Sequence, residues 1–302
     1  MPISKDDITI VLPTLNEEEA IGQIIYELKQ CGYHNILVVD GYSVDGTTKV
    51  AEANGGIVVF QHSKGKCGAI KTAIENVKTP YILVMDGDYT YDPKNIETFT
   101  AHCEKYDQII GVRTNGRRNI PKLNQFGNQL ITKTFNVLLG TNLTDVCSGM
   151  YMMRSEAARE LELNTTGFDV EVEIAAQTAT RGKITEVPID YRKRLGFQKL
   201  SSWRHGFQIM RTIFRLARRY NPTALFSAIV ASAIVPAVII LGWVALQVLI
   251  HGIWHSGYAL VGLMLLVLAS NGLTIGAVST QLKRTEKRIR EQLRNNSNAQ
   301  AD

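Results

Sequence analysis

Two aspartates, Asp86 and Asp88, close the apolar run at residues 81–85, with Gly87 alone between them. Carboxylates this close repel each other and resist burial, so a divalent cation beside them makes the pair tenable. Hard oxygen donors suit Mg²⁺ or Mn²⁺, which keep several waters and also hold a diphosphate. A plain Asp-Gly turn has the same composition, so the pair is weighed with its surroundings. Three other apolar runs also end in polar residues: Pro13-Thr14-Leu15-Asn16-Glu17-Glu18, Asp40-Gly41-Tyr42-Ser43-Val44-Asp45-Gly46-Thr47, and Gly111-Val112-Arg113. Singly, Asn16 or Asp45 is an ordinary helix cap. Together, four run ends bearing ligand-type side chains describe one nucleotide site. Ser63-Lys64-Gly65-Lys66-Cys67-Gly68-Ala69 opens a helix with positive charge that can draw phosphate, or forms a flexible basic turn. No G-x-G-x-x-G follows the first run, and Gly41 to Thr48 lacks a P-loop lysine, which disfavours a dinucleotide dehydrogenase and a P-loop kinase.

The elements that must carry these residues follow from periodicity. Short β-branched runs at 8–12, 36–39, 57–60, 81–85 and 109–112 read as strands, with helical segments at 17–30, 47–54, 69–77 and 93–106 between them. Repeated strand, helix, strand predicts an α/β fold whose parallel sheet is covered on both faces and binds ligands at the strands' carboxyl ends. After residue 115 the alternation weakens into a helix at 123–139, an apolar turn DVCSGMYMMR at 145–154, a helix at 170–180 and a strand at 184–191. This half reads as acceptor-side structure.

Residues 223–250 and 258–282 contain no charged side chain, and at ~1.5 Å per residue each run exceeds the ~30 Å hydrocarbon core. Between them lies no Lys or Arg, whereas Arg211, Arg215, Arg218 and Arg219 precede the first and Lys283, Arg284, Lys287, Arg288 and Arg290 follow the second. The expectation is a two-span hairpin with both ends cytoplasmic. Trp203, Phe207, Met210, Phe214 and Ala217 recur at helical spacing among arginines, which predicts a basic amphipathic interfacial helix over 201–221. A cytoplasmic catalytic domain at 1–200 and a basic cytoplasmic tail at 283–302 complete the layout.

Charge supports a membrane surface over nucleic acid. Residues 203–302 carry 11 basic and 3 acidic side chains, which leaves 22 and 25 in the first 202, a weakly acidic body with a basic tail. Cys31, Cys67, Cys103 and Cys147 lie 36 or more residues apart with no C-x-x-C, so free thiols are expected rather than a zinc site or a disulfide framework. MPISKDDITIVLP does not read as a secretory signal peptide.

V-L-P-T-L-N-E at 11–17, V-V-D-G-Y-S-V-D-G-T at 38–47, G-K-x-G-A at 65–69, D-G-D at 86–88, G-x-R at 111–113, D-x-x-S-G at 145–149 and E-V-P-I at 186–189 resemble glycosyltransferase family 2, in the order and spacing of its polyprenyl-phosphate sugar synthases. The resemblance implies a GT-A, Rossmann-like fold and inverting transfer of one sugar from a GDP- or UDP-linked donor to a polyprenyl or dolichyl phosphate, with Mg²⁺ or Mn²⁺. It places Pro13, Leu15, Glu17, Asp40, Gly41 and Lys66 on the nucleotide sugar, and Asp86, Gly87 and Asp88 on the metal and diphosphate. Arg113 stands beside the donor, and Asp145, Ser148 and Gly149 line the sugar and acceptor side. Arg192, Arg194 and Lys199 grip phosphate. This chain differs in having Gly41-Tyr42 after Asp40, Thr90 two residues after the D-x-D pair, and Gln198 in the basic loop. An acceptor phosphate, with a second pKa of ~6, is already nucleophilic near neutral pH and needs no general base. Two other readings stay open: a transferase that extends a saccharide or glycolipid, and a non-catalytic membrane protein that binds a nucleotide sugar.

Overall fold

The protein was analysed as a computed structural model that describes residues 3–163, 170–196, 211, 214–215, 218 and 222–299. Lys199 and most of the expected interfacial helix lie outside the described residues. The chain divides into two compact units, Met1–Ile213 and Phe214–Asp302.

The first unit is built on one seven-stranded sheet: β1 (Ile8–Thr14), β2 (Ile36–Asp40), β3 (Ile57–Phe60), β4 (Tyr81–Val84), β5 (Gln108–Asn115), β6 (Tyr151–Arg154) and β7 (Ile184–Asp190), in the order β3-β2-β1-β4-β6-β5-β7. Only β6 runs against its neighbours; β1 pairs in parallel with β2 and β4, and β5 with β7. β2 is buried at every position and β1 at all but Pro13, as strands covered on both faces must be. Helices α1 (Glu18–Gln30), α2 (Thr47–Ala53), α3 (Gly65–Asn76), α4 (Ile96–Thr100), α5 (Lys122–Leu139), α6 (Ser155–Arg159) and α7 (Val170–Arg181) connect the strands. α1 shows the logic of the cover. Its Ala20, Ile21, Ile24, Ile25 and Leu28 form one buried stripe in the same core as β1 and β2, so truncating Ile24 to Ala costs about 2–5 kcal/mol.

Two expectations change. The stretch 145–154 is not a turn throughout: Tyr151–Arg154 is a buried central strand. Because β6 is antiparallel to β4, with Val84 opposite Tyr151, its leading residues 145–150 arrive at the edge where β4 ends. The helix expected over 93–106 shrinks to a 3-10 turn, Pro93–Asn95, and the short α4.

The second unit contains α8 (Pro222–His251), with Pro236 in its interior, and α9 (Ser256–Ala299). Val230–His251 and Ser256–Ser279 have mean hydropathies of 2.5 and 2.0 and are long and apolar enough to cross a membrane.

Candidate active site

The carboxyl ends of β1 and β2 are sewn together by side chains. Asp40, fully buried, accepts from the Ser43 amide (2.7 Å), the Ser43 hydroxyl (2.6 Å) and Thr14 Oγ1 (3.2 Å). Asn16 Oδ1 accepts from the Val44 amide at 2.8 Å, and the Asn16 amide donates to Ser43 Oγ at 2.8 Å. Gly41 donates to the Thr14 carbonyl, where Pro13 and the half-exposed Leu15 flank the joint. Tyr42 stacks on Phe60 at the end of β3, with ring centroids 5.3 Å apart. Among the described residues, the three non-glycine residues with positive φ, Asn16 (52°), Tyr42 (66°) and Tyr89 (70°), stand beyond the ends of β1, β2 and β4. Strain of this kind persists only where the surroundings over-determine it, and it gathers at binding sites.

Asp86 and Asp88 leave β4 into two different sets of partners. Asp86 pairs with the buried Lys66 of α3, which also pairs with Glu171 of α7. A Cβ at Gly149 would strike the Asp86 carboxylate, so glycine lets the segment before β6 close on it. Asp88 accepts from Thr90 N (3.1 Å) and Oγ1 (2.5 Å), and its other oxygen accepts from Arg194 at 3.0 Å. Arg194 donates on to Glu17 at 2.5 Å, while its buried Nε has no protein acceptor among the described residues. Glu17, Arg194 and Asp88 thus link the ends of β1, β7 and β4. Backbone bonds from Arg192 to Thr90 O (2.7 Å) and from Leu195 to Asp88 O (3.3 Å) latch the segment after β7 over the D-x-D turn.

The electrostatics follow from burial. Desolvation, then the neighbouring Asp86 charge, raises the Asp88 pKa, and desolvation raises that of Glu171. Burial disfavours the Lys66 charge, but Asp86 and Glu171 outweigh it and hold its pKa well above the ordinary lysine value. Two carboxylates this close, with Asp86 partly exposed and the Asp88 charge opposed by burial and by Asp86, fit a hard divalent cation. Among the described residues no group of three or more His, Cys, Asp or Glu is placed to hold a metal ion, and Asp86 and Asp88 are the pair that could share one with non-protein oxygens.

Beside them Arg113 makes a two-pronged pair with Asp145, Nε to Oδ2 and Nη2 to Oδ1 both at 2.7 Å, under the Tyr191 ring. Buried Ser148 and Gly149 follow, and the Gly149 amide donates to Tyr91 Oη at 2.7 Å. Arg192 is not brought to the aspartates: it bonds Glu27 (2.7 Å) and pairs with Asp92 (2.5 Å), over the Tyr89 ring. Glu171, Glu27, Tyr91 and Tyr191 were not marked by the sequence. Residues 170–178 of α7 are all buried, and Glu171 shares that burial with Glu173 and Gln177, so no local pattern set it apart.

Residues 9–162 match the model of glycosyl transferase family 2. The chain is 32% identical over 297 residues to glycosyltransferase AglJ of Haloferax volcanii, covering 93% of this chain and 98% of that protein. It is also 32% identical over 216 residues to a dolichyl-phosphate hexose transferase of the same organism, covering 70% and 94%. Among solved structures, glucosyl-3-phosphoglycerate synthase of Mycobacterium tuberculosis, crystallised with Mn²⁺, UDP-glucose and phosphoglyceric acid, superposes with a TM-score of 0.59 at 20% identity over 69% of this chain and 79% of that one. The shared architecture is the GT-A fold.

Proposed function

The chain belongs to glycosyltransferase family 2, and on that premise we propose that it transfers one sugar, a hexose or N-acetylhexosamine, from a GDP- or UDP-linked donor to a polyprenyl or dolichyl phosphate, with inversion. The carrying observation is that the polar ends of β1, β2, β4 and β5 share one sheet edge with the head of the reversed β6 and close around Asp86 and Asp88. The two long apolar helices support a lipid acceptor. The name of the dolichyl-phosphate relative points the same way.

In this reading Pro13, Leu15, Glu17, Asp40 and Gly41 border the nucleotide, and Lys66, Gly87 and Arg113 the diphosphate and sugar. Asp86 and Asp88 hold Mg²⁺ or Mn²⁺, which when bound supplies positive charge to the departing nucleoside diphosphate. A phosphate oxygen of the acceptor attacks the anomeric carbon from the face opposite the diphosphate, whose bond to that carbon breaks. Arg113, fixed by Asp145, offers its charge without reorganising, and Arg194 and Lys199 add theirs. Ser148 and Gly149 line the sugar side. The helices are a membrane hairpin with the catalytic unit and both termini cytoplasmic, supported by arginine and lysine at its two ends and none between.

The test is transfer of radiolabel from GDP-mannose, UDP-glucose or UDP-N-acetylglucosamine to dolichyl and undecaprenyl phosphates, with either metal and with Asp88→Ala as control. A metal-dependent, acid-labile lipid product that the variant does not make is expected. Product stable to mild acid would indicate a saccharide acceptor instead, and nucleotide binding with no product from any donor would indicate a binding protein.

A further inference from the structure

Lys66 stands where its own helix does not favour it. It lies in the first turn of α3, at the end of the helix dipole that repels a cation, and its side chain is only 12% exposed. Its ammonium sits between two carboxylates of unequal access: Asp86, 31% exposed, and Glu171 in the first turn of α7, 7% exposed. The two contacts differ in kind. Lys66 donates a hydrogen bond to Asp86 Oδ1, whereas it pairs by charge with Glu171 Oε1, a buried oxygen that accepts no hydrogen bond among the described residues. Tyr151 Oη, in the electrostatic field of Glu171 and Lys66, is also buried without a hydrogen-bond partner there. A buried ion pair adds little net stability, and orphaned polar atoms beside it are a cost, so a purely structural role accounts poorly for this cluster.

Both oxygens of Asp86 are engaged from within the protein. Oδ1 takes the bond from Lys66, and Oδ2 lies against Gly149, closest to where a Cβ on that residue would stand. A hard cation on Asp86 needs one of these oxygens. The Gly149 side is backed by main chain, so Oδ1 is the oxygen that can be released, and Lys66 is what occupies it. Like charges at one oxygen repel, which drives the ammonium off when a second cation arrives. With no other partner its charge would be stranded in a buried place. Glu171 supplies that partner, already in contact and with an acceptor still unused.

We propose that Lys66 is the resident counter-cation of Asp86 and that Glu171 is its holder: when Asp86 takes a divalent cation, Lys66 gives up Oδ1 and bonds Glu171 Oε1. Glu171 is then a positioning residue that acts on the metal site through Lys66. The inference deepens the proposed reading, since it rests on Asp86 and Asp88 holding Mg²⁺ or Mn²⁺. It also fixes the sign of each substitution. Removing Lys66 relieves a competitor for Asp86, whereas removing the Glu171 charge leaves Lys66 tied to Asp86 alone.

The full chain in detergent micelles is titrated with Mn²⁺ at a fixed concentration of UDP or GDP, and bound ion is read as the loss of the sharp electron paramagnetic resonance signal on adding protein. Wild type should bind and Asp88→Ala should not. Glu171→Gln is expected to weaken Mn²⁺ binding about 10–100-fold, as the loss of an outer partner does at metal sites. Lys66→Met should strengthen it by about threefold or more, and Lys66→Met with Glu171→Gln should match Lys66→Met within about twofold. Lys66→Met alone strands the Glu171 charge, so thermal melts accompany each titration. If that variant does not fold, the double variant decides, because it should still bind more tightly than Glu171→Gln alone. Binding by the double variant no tighter than by Glu171→Gln overturns the proposal. So does an equal cost of Glu171→Gln with and without Lys66→Met, which would mean that Glu171 acts on the ion by its own charge. Wild type that binds no more Mn²⁺ than Asp88→Ala removes the metal reading and the proposal with it, a result distinct from both.

Discussion

The two ends of the site are held by different physics. Where β1 and β2 finish, Asp40, Ser43, Asn16, Val44, Asp45 and Glu18 are joined by hydrogen bonds between two adjacent loops, mostly from backbone amides to side-chain oxygens. Around Asp86 and Asp88 and before the head of β6, the holding contacts are ion pairs between residues remote in sequence: Arg113 with Asp145, Lys66 with Glu171, Arg194 with Glu17. Each hydrogen bond of the first kind contributes about 0.5–1.5 kcal/mol and fixes a loop whose shape is already set by its neighbour. A buried pair of the second kind contributes little net, yet losing one partner strands a charge at a cost of about 3–5 kcal/mol. The nucleotide end is therefore expected to tolerate single losses, and the sugar and acceptor end to fail when one member goes.

The largest effect should come from Asp88→Ala, which is expected to lower transfer by about 10²–10³-fold or more while leaving the melting temperature nearly unchanged. The lost bonds from Thr90 are offset by removing a carboxylate whose charge burial and Asp86 oppose, and Arg194 keeps Glu17 as a partner. Rates and thermal melts of the same preparation check both halves. A collapse of stability would erase the contrast between the site's chemistry and its scaffold.

Next comes Asp145→Ala, which leaves the Arg113 guanidinium buried and unpaired. A loss of about 3–5 kcal/mol is expected, lowering Tm by about 10 °C, with activity lost as well. The double variant Arg113→Met with Asp145→Leu should regain most of the stability and none of the activity. If the double variant melts as low as the single, packing rather than stranded charge set the cost.

Asn16 probes the other end at lower stakes. At φ 52° it sits where Ala is strained by about 1–2 kcal/mol, and its Oδ1 accepts from Val44. Asn16→Gly loses the bond alone and Asn16→Ala loses the bond and adds strain, so the alanine variant should melt about 2–4 °C below the glycine variant. Asn16→Asp, which keeps the acceptor, should be the mildest. Equal melting of Ala and Gly would mean the loop relaxes rather than bearing strain.

The same contrast explains what was legible in the sequence. Strands β1 to β5, the two long apolar helices and the strand-end motifs follow from β-branched runs, uncharged runs and what ends them, because each is a local relation between neighbours. Asp40, Asp86, Asp88 and Arg113 stood out for the same reason: each follows an apolar run. β6 was invisible as a strand because its residues YMMR include no β-branched side chain, and its reversed direction is a property of the whole sheet. Glu171 and Glu27 were unmarked because their meaning depends on Lys66 and Arg192, residues 105 and 165 positions away. The resemblance set Arg192 beside Arg194 as a phosphate grip, and in the fold Arg192 bonds Glu27 and pairs with Asp92.

Glu27 offers the smallest and most selective test, since it ties the segment after β7 to α1 without touching either aspartate. Burial works against its ionisation, but bonds from Gln23, Arg192 and Tyr89 outweigh that and hold its pKa below the usual glutamate value of 4.5. A carboxylate with a depressed folded pKa contributes stability above its unfolded pKa and loses it as pH falls through the folded value. Acidification from pH 4.5 downward should therefore remove the stabilisation that Glu27 provides, whereas Glu27→Gln should melt lower at neutral pH and show a shallower fall in that window. The carboxylate is partly exposed and shares its partners with solvent, so the difference is on the order of 1–2 °C. Parallel melting curves for the two proteins across the acid range would show that the Arg192 latch is held by its backbone bond to Thr90 and not by charge, which would move that segment to the hydrogen-bonded side of the comparison.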